Sequence, residues 1–265
     1  MNRQLVVFSD LDATLLDHYN YRFDAANAAL EKLKQFNIPL VLNSSKTKLE
    51  MQKIRHQLHN QHPYIVENGT ALVIPAHYFQ NEAEEIVNFS SEYSSILAIL
   101  ERLKAEGFKF RHFSALTAGE VSELTSLSEV DAEMAKDRFG SEPLLWDDSE
   151  ENLVQFTAHI NKNQLKLIKG GRFYHVVGLF DKGRAVEYAL RLFEGKYSPN
   201  QILSIGLGDS PNDIPMLEAV DIAIVIKSGR TSEMQLTNAN TIFSQLEGPA
   251  GWNDEMLRLL EQKGT

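Results

Sequence analysis

The chain has no cysteine among its 265 residues, which excludes disulfides, thiol catalysis and thiolate metal sites together. No apolar stretch approaches the ~18 residues that a membrane span needs, so no membrane partner is expected. Positive charge is also short. With 26 Lys and Arg against 36 Asp and Glu, the formal net charge is -10, which argues against nucleic acid or an anionic membrane as partner. A small anionic substrate fits that balance only where Lys and Arg are placed locally to receive it. Met1-Asn2-Arg3 runs at once into a strand pattern, which leaves no room for a signal peptide, and the expected location is the cytoplasm. There is no internal repeat and no low-complexity segment.

What the chain does have is a pair of carboxylates at the end of its first apolar run. Asp10-Leu11-Asp12-Ala13-Thr14 follows directly on Leu5-Val6-Val7-Phe8. On the loop leaving a buried parallel strand, both groups face the crevice where open α/β sheets bind ligands. Carboxylates that close repel each other, so a cation, expected to be a metal, belongs beside them.

The hydrophobic pattern predicts alternating strands and helices. After the first strand, Phe23–Phe36 has helical spacing, Ile38–Leu42 is a second buried strand, and Thr47-Lys48-Leu49-Glu50 is a capping-box signature for a helix to about His59. Tyr64–Val66 and Ala71–Ile74 read as a hairpin across Asn68-Gly69. From about residue 82 to 178 the segments become more amphipathic. They include a helix over Ser91–Glu106, a strand over Lys109–Phe113, and a hairpin of Leu165–Ile168 with Arg172–Val177 around Gly170-Gly171. The buried pattern then resumes with helix Arg184–Phe193, strands Ile202–Ile205 and Ile222–Ile226, and a terminal helix over Met256–Leu260. The expectation is an α/β fold: a Rossmann-like parallel-sheet core made of residues 1–82 and 179–265, with an α+β cap, 83–178, inserted in its middle.

Four short segments converge at one edge of such a sheet. They are Asp10 and Asp12 with Thr14 behind them; Asn43-Ser44-Ser45-Lys46; Asp181-Lys182-Gly183; and Gly208-Asp209-Ser210-Pro211-Asn212-Asp213. Any one of them could be a helix cap or a polar turn, but all four in this order, each at a strand end or helix start, point to chemistry. A carboxylate can attack phosphorus and split one hard displacement into two easier ones. The transferring group then needs donors, which Lys182 and the Ser44 hydroxyl supply. Asp10 and Asp209 offer hard oxygen ligands suited to Mg²⁺, and Asp12 is free to move protons.

At this point the sequence resembles the haloacid dehalogenase superfamily of phosphatases, whose four motifs match these segments in order and type. Shorter patterns narrow the resemblance to its mannosyl-3-phosphoglycerate phosphatases: Ser45-Lys46-Thr47 with Glu50, Val66-Glu67-Asn68-Gly69, Lys136-Asp137-Arg138 with Ser141-Glu142-Pro143, and Gly170-Gly171-Arg172-Phe173. The resemblance implies the haloacid dehalogenase fold, Mg²⁺ as cofactor and a small anionic phosphorylated sugar as substrate. By position it makes Asp10 the nucleophile and Asp12 the general acid/base, with the Asp12 backbone carbonyl also on the metal. Ser44, Lys182 and Thr14 then hold the phosphoryl group. Asp209 ligates the metal, and Ser210, Asn212 and Asp213 support it. Lys46, Asn68, Arg138, Lys169 and Arg172 are the implied substrate contacts. Ala13 departs from the pattern, which usually has Gly there.

Plainer readings compete. The capping box explains Thr47 and Glu50 without any ligand. Arg138, with Glu133 and Asp137 near it on a helix, is expected in a surface ion pair. Lys46 is open between a solvated lysine and a phosphate-facing one. His56, His59 and His62 are expected to be solvated at a polar helix end, and Trp146 and Trp252 to be packing residues. A phospho-accepting signalling module of the response-regulator type also uses Asp, Ser or Thr, Lys and Mg²⁺ on a parallel sheet, but it has no place for Asp12 or for the insertion.

Overall fold

The Leu5–Phe8 run forms β1 (Gln4–Ser9), buried on both faces, in a computed structural model that describes residues 3–90, 92–170, 172–198 and 202–262. Around it lies an eight-stranded sheet that also contains β2 (Leu40–Asn43), β3 (Tyr64–Val66), β4 (Ala71–Ile74), β5 (Glu85–Asn88), β10 (Ile202–Gly208), β11 (Ile222–Lys227) and β12 (Thr241–Glu247). Its order is β12-β11-β10-β1-β2-β3-β4-β5, parallel from β12 to β3 and antiparallel at β4 and β5. A second sheet, of four antiparallel strands, has the order β6-β7-β9-β8: β6 (Phe110–His112), β7 (Ser141–Trp146), β8 (Lys166–Lys169) and β9 (Tyr174–Val177).

Alternation along the strands divides the large sheet's core into two layers. Leu5 and Val7 face α1 (Asn27–Gln35), α2 (Lys48–Gln57) and α9 (Gly248–Gln262), whose Leu33, Met51 and Trp252 fill that side. Val6 and Phe8 face α7 (Lys182–Tyr197) and α8 (Ile214–Glu218), whose Val186, Phe193 and Leu217 fill the other. Covering on both faces is why β1, β2 and β11 read as continuous apolar runs rather than alternating ones. The small sheet has its own core. Leu144 and Val176 pack on Ile96 and Leu100 of α3 (Tyr93–Ala105) and on Phe156 and Ile160 of α6 (Glu150–Lys162). The intervening residues Ser141, Pro143 and His175 are therefore on the opposite face of the small sheet. Two short helices, α4 (Ala118–Thr125) and α5 (Glu129–Lys136), carry a satellite cluster around Phe113. No described helix is long and apolar enough to cross a membrane.

Several sequence expectations shift in detail. The Phe23–Phe36 helix begins instead with a single tight turn at Asp24–Ala26, followed by α1. The hairpin expected across Asn68-Gly69 forms between the expected strands, but not as a two-residue turn. Val66 pairs with Ala71, so the loop is Glu67–Thr70, and Glu67, Asn68 and Gly69 all have positive φ (50, 59 and 96°). The strand Glu85–Asn88 lies on the cap side of the boundary expected at 82/83, yet it is hydrogen-bonded to β4 on the edge of the large sheet. Ser91 and Gly171, which belong to an expected helix start and hairpin turn, lie outside the described residues.

His62 is a further correction. His56 and His59 are exposed, but His62 is half-buried, and its Nδ1 shares a 2.8 Å hydrogen bond with the Tyr78 hydroxyl. Burial, helped by the charges of Arg55 and Lys196, lowers its pKa to about 4. A histidine whose folded pKa lies below its unfolded value near 6.5 contributes fully above that value and loses the contribution as pH falls toward the folded one. The stability advantage of the native chain over His62→Gln is therefore expected to shrink by roughly 1–2 kcal/mol between pH 7 and pH 5. Urea unfolding of both proteins at the two pH values measures this, and a constant difference would show that His62 titrates normally.

Candidate active site

The site is assembled at the carboxyl ends of β1, β2 and β10, beside the central strand of the parallel array. The Asp10 N–H still bonds the Leu207 carbonyl at 2.9 Å, so the first carboxylate leaves the sheet in fixed register. Beyond it the chain folds back tightly. The N–H groups of Thr14 and Leu16 both donate to the Leu11 carbonyl, and Ala13 is held at φ 60°. Beneath this loop the Trp252 indole donates to Ser9 Oγ, which in turn donates to the Asp10 carbonyl. Trp252 is thus a packing residue, as expected, that also anchors the loop.

Lys182 reaches the same point from the opposite side. Asp181 caps α7 by accepting the N–H groups of Gly183 and Arg184, which makes Lys182 the first residue of the helix. Its ammonium donates to Asp10 Oδ1 and Asp213 Oδ1, both at 2.6 Å, and its side chain is 1% exposed. Burial works against that ammonium, but the two carboxylates outweigh it and hold its pKa above the ordinary lysine range. The helix start fits only because neighbours lack side chains. A Cβ on Gly69 would come within 2.3 Å of the Asp181 carbonyl, and one on Gly183 within 2.3 Å of the Pro215 carbonyl.

A third carboxylate, Asp209, stands beside the two that share this ammonium. Oxygen atoms of Asp10, Asp209 and Asp213 lie within 4.8 Å of one another. Asp213 is fully engaged: Oδ1 is on Lys182, and Oδ2 accepts from the backbone N–H groups of Asp209 and Ser210. Gly208 makes room for it, since a Cβ there would stand 2.5 Å from the Asp213 Cβ. Asp10 and Asp209 are left undercompensated. Burial and the Asp213 charge raise Asp10 well above the usual carboxylate range and push Asp209 up to about 7. A buried acidic cluster with a surplus of negative charge and free carboxylate oxygen suits a small divalent cation.

Asp12, one residue from Asp10 on its strand-end loop, has a different environment. Its Oδ2 accepts from Lys46 Nζ at 2.8 Å, while its buried Oδ1 has no partner. Lys46 is thus neither solvated nor bound in the Asp10 cluster. Burial opposes its charge, but Asp12 and Glu50 raise its pKa. The capping box of Thr47 and Glu50 forms as expected, and Thr47 Oγ1 also donates to the Met134 carbonyl of α5.

The remaining expected residues divide into two groups. Ser44 is fully buried after β2, Thr14 Oγ1 donates to Asp209 Oδ1 at 3.2 Å, and Ser210 Oγ donates to Asn212 Oδ1. Asn68 is buried, and its Oδ1 faces Asn212 Nδ2 at 3.4 Å. Arg138 is not in the surface ion pair expected with Glu133 and Asp137. It donates instead to the Ala135 carbonyl and Ser141 Oγ, and its Nη1 lies 3.4 Å from the Ser45 carbonyl. Arg172 is exposed and turned onto the Leu124 carbonyl, and Lys169 lies over the Tyr174 ring. Neither is joined to the carboxylate cluster among the described residues.

In the sequence Glu67 stands out only as part of the Val66-Glu67-Asn68-Gly69 pattern. Its carboxylate is fully buried and accepts from the N–H groups of Phe139 and Gly140 and from Ser141 Oγ. Ser228, whose hydroxyl holds the Asp209 carbonyl, and His175, buried on the small sheet with a partnerless Nδ1, carried no signal in the sequence.

The chain belongs to the haloacid dehalogenase-like hydrolases, whose family model matches residues 7–243. A protein of Persephonella marina named glucosyl-3-phosphoglycerate/mannosyl-3-phosphoglycerate phosphatase is 38% identical over 97% of this chain and 98% of its own. A protein of the same name from Methanococcoides burtonii is 34% identical over 96% of this chain and 97% of its own. The sucrose-phosphatase of Synechocystis, solved with sucrose and phosphate, shares the fold at a TM-score of 0.64 and 15% identity, over 99% of this chain and 98% of that one. The chain is a phosphoric monoester hydrolase of this family.

The left-handed Ala13 costs roughly 1–2 kcal/mol. Glycine would avoid that cost but lose roughly 0.4–1 kcal/mol more in unfolded-state entropy. Ala13→Gly is therefore expected to stabilise the protein by about 0.5–1 kcal/mol. Thermal unfolding decides the point, and a lower midpoint would mean that the loop carries no strain.

Proposed function

We propose that this chain hydrolyses mannosyl-3-phosphoglycerate to mannosylglycerate and phosphate, with Mg²⁺ as cofactor and Asp10 as nucleophile. The observation that carries the reading is the unequal pairing of the two strand-end carboxylates: Asp10 on buried Lys182, Asp12 on half-buried Lys46. Asp10 Oδ1 is held by Lys182, which orients the carboxylate for in-line attack on phosphorus. The bond from Asp10 to phosphorus forms as the ester P–O bond breaks, and Asp12 passes a proton to the departing oxygen. Asp12 then takes a proton from water, which attacks the aspartyl-phosphate, releases phosphate and restores Asp10.

Lys182, the Ser44 hydroxyl and Thr14 are assigned to the phosphoryl oxygens, as donors placed before charge develops. Asp10, Asp209 and the Asp12 carbonyl are assigned to Mg²⁺, with Ser210, Asn212 and Asp213 in support. When bound, such an ion would neutralise charge on the phosphoryl group. The surplus negative charge at Asp10 and Asp209 is what favours a cation there.

In the substrate's organic part, the glycerate carboxylate is assigned to Lys46 and Arg138, the two cations nearest Asp12 and the Ser45 carbonyl. Asn68, buried beside Asn212, is assigned to the substrate from the core side, and Lys169 and Arg172 belong to the outer contacts, which form when the inserted sheet seats on substrate. The division into a core of 1–82 and 179–265 with a cap of 83–178 belongs to this reading, with β5 as a piece of the cap connection lent to the core sheet. The glucosyl ester is the second reading, because both curated relatives carry both sugars in their names.

The test is phosphate release from a panel of phosphate esters with Mg²⁺. The native chain is expected to favour the glycosyl-3-phosphoglycerates. Asp10→Asn is expected to lose at least a thousandfold in turnover, the scale on which losing a nucleophile acts, and a chelator should abolish release reversibly. Full activity of Asp10→Asn would remove the covalent mechanism, and indifference to the panel would remove the substrate.

A further inference from the structure

Left-handed backbone at non-glycine residues is not scattered evenly along this chain. Asn37, His59, Ser126, Gln164 and Ser198 sit just past helix ends, and His77 lies in the β4–β5 connection. The other four are Ala13, Tyr21, Glu67 and Asn68, all on loops at the carboxyl ends of β1 and β3. Ala13 is in the loop after Asp10 and Asp12, Glu67 holds Phe139–Ser141, and Asn68 faces Asn212. Tyr21 alone serves none of these ends. It is an aromatic residue at φ 57°, rare for so bulky a side chain.

The loop that imposes this conformation is closely tied. Asp17 N–H donates to the Arg22 carbonyl at 2.8 Å, and Tyr21 N–H donates to the Asp17 carbonyl at 3.0 Å. The Asp17 carboxylate accepts from the N–H groups of Tyr19 and Asn20. Leu16 before it and Phe23 after it are both seated against the main core. Tyr21 is 56% exposed and Tyr19 on the same loop 87%, but of the two it is Tyr21 whose ring lies beside Lys46. Its ring centre stands 5.4 Å from Lys46 Nζ, the same nitrogen that bonds Asp12 Oδ2 at 2.8 Å.

We propose that Tyr21 is a specificity-determining residue whose ring forms the platform on which the sugar of the substrate rests. This inference rests on the reaction proposed above. Asp12 meets the departing oxygen, so whatever surrounds Asp12 on its open side surrounds the leaving group and not the phosphoryl group. Lys46 is there for the carboxylate. The sugar begins only a few bonds from the ester oxygen, and next to Lys46 stands one flat, exposed aromatic ring. A pyranose offers such a ring its axial C–H face, and an aromatic side chain gains area there at little cost in side-chain order. The left-handed backbone keeps the ring at the mouth of the site, off the core.

The experiment compares the native chain, Tyr21→Ala and Tyr21→Phe on mannosyl-3-phosphoglycerate and on sugar-free 3-phosphoglycerate, with thermal midpoints as a control of folding. Tyr21→Ala is expected to lower the preference for the glycosylated ester roughly five- to tenfold, chiefly through KM. Tyr21→Phe, which keeps the ring, is expected to restore most of that preference. Equal losses on both esters, or an unchanged preference, overturn the platform. If the native chain rejects the glycosylated ester altogether, the substrate assignment falls, and Tyr21 is judged on hexose monophosphates assayed in the same way. There a KM rise in Tyr21→Ala supports the platform and an unchanged KM, or no turnover of any sugar ester, overturns it.

Discussion

The ammonium of Lys182, shared at 2.6 Å between Asp10 and Asp213, is the contact on which the rest of the site depends. Without it, three carboxylates would face one another in a space from which water is largely excluded, and none could hold its charge cheaply. Much of the surrounding chain is arranged to bring that one group into place. Asp181 caps the helix that begins with it, and Asn43 Nδ2 lies 3.3 Å from its backbone carbonyl. Gly69 and Gly183 let the turn approach backbone that no side chain would tolerate. The lysine is thus the meeting point of β2, the β3–β4 loop and α7, as well as a partner for Asp10.

Two acids one residue apart acquire different chemistry because different cations reach them. Asp10 is buried and takes its ammonium from the start of a helix more than 170 positions along the chain. Asp12 has a side chain 39% exposed, takes its ammonium from the β2–α2 loop, and keeps one oxygen without a partner. Chain proximity fixes only that both point out of the same strand end. Burial and partner decide the rest: the enclosed carboxylate is fixed on a buried ammonium, while the open one pairs with a half-buried ammonium and keeps an exposed side.

The parallel core was legible because its strands are covered on both faces, so Leu5–Phe8 and Ile222–Ile226 read as unbroken apolar runs. Asp10, Ser44, Lys182 and Asp209 each sit at a strand end or helix start, which is why their positions, though not their contacts, could be read from the pattern. The small sheet was harder to read. Ser141–Trp146 includes Glu142 and a proline, and shows no alternation until the His112, Ser114 and Tyr93 partners of Glu142 are known. The hairpin across Asn68-Gly69 was legible from the turn signal of that pair, but the shape of its loop was not. Three consecutive left-handed residues depend on Asp181 and Phe139–Ser141, which no local pattern reveals. Arg138 looked like a surface cation beside acidic neighbours, and only tertiary packing shows that it turns inward onto Ser141 and toward Ser45.

Glu67 shows why such residues escape notice. A buried carboxylate is expensive unless donors meet it, and here the donors are two backbone N–H groups and one hydroxyl at the beginning of the small sheet. Burial still raises its pKa, against the pull of Arg138 and of those hydrogen bonds. The same loop, two residues later, places Gly69 against the backbone of Asp181 and Lys182. One strained turn therefore touches both the seat of the inserted sheet and the helix start that aims the central lysine. A shift of the small sheet that broke the bonds to Glu67 would leave its charge uncompensated in the interior, and the least costly response would move the turn itself. Position of the insertion and position of Lys182 are for that reason set together.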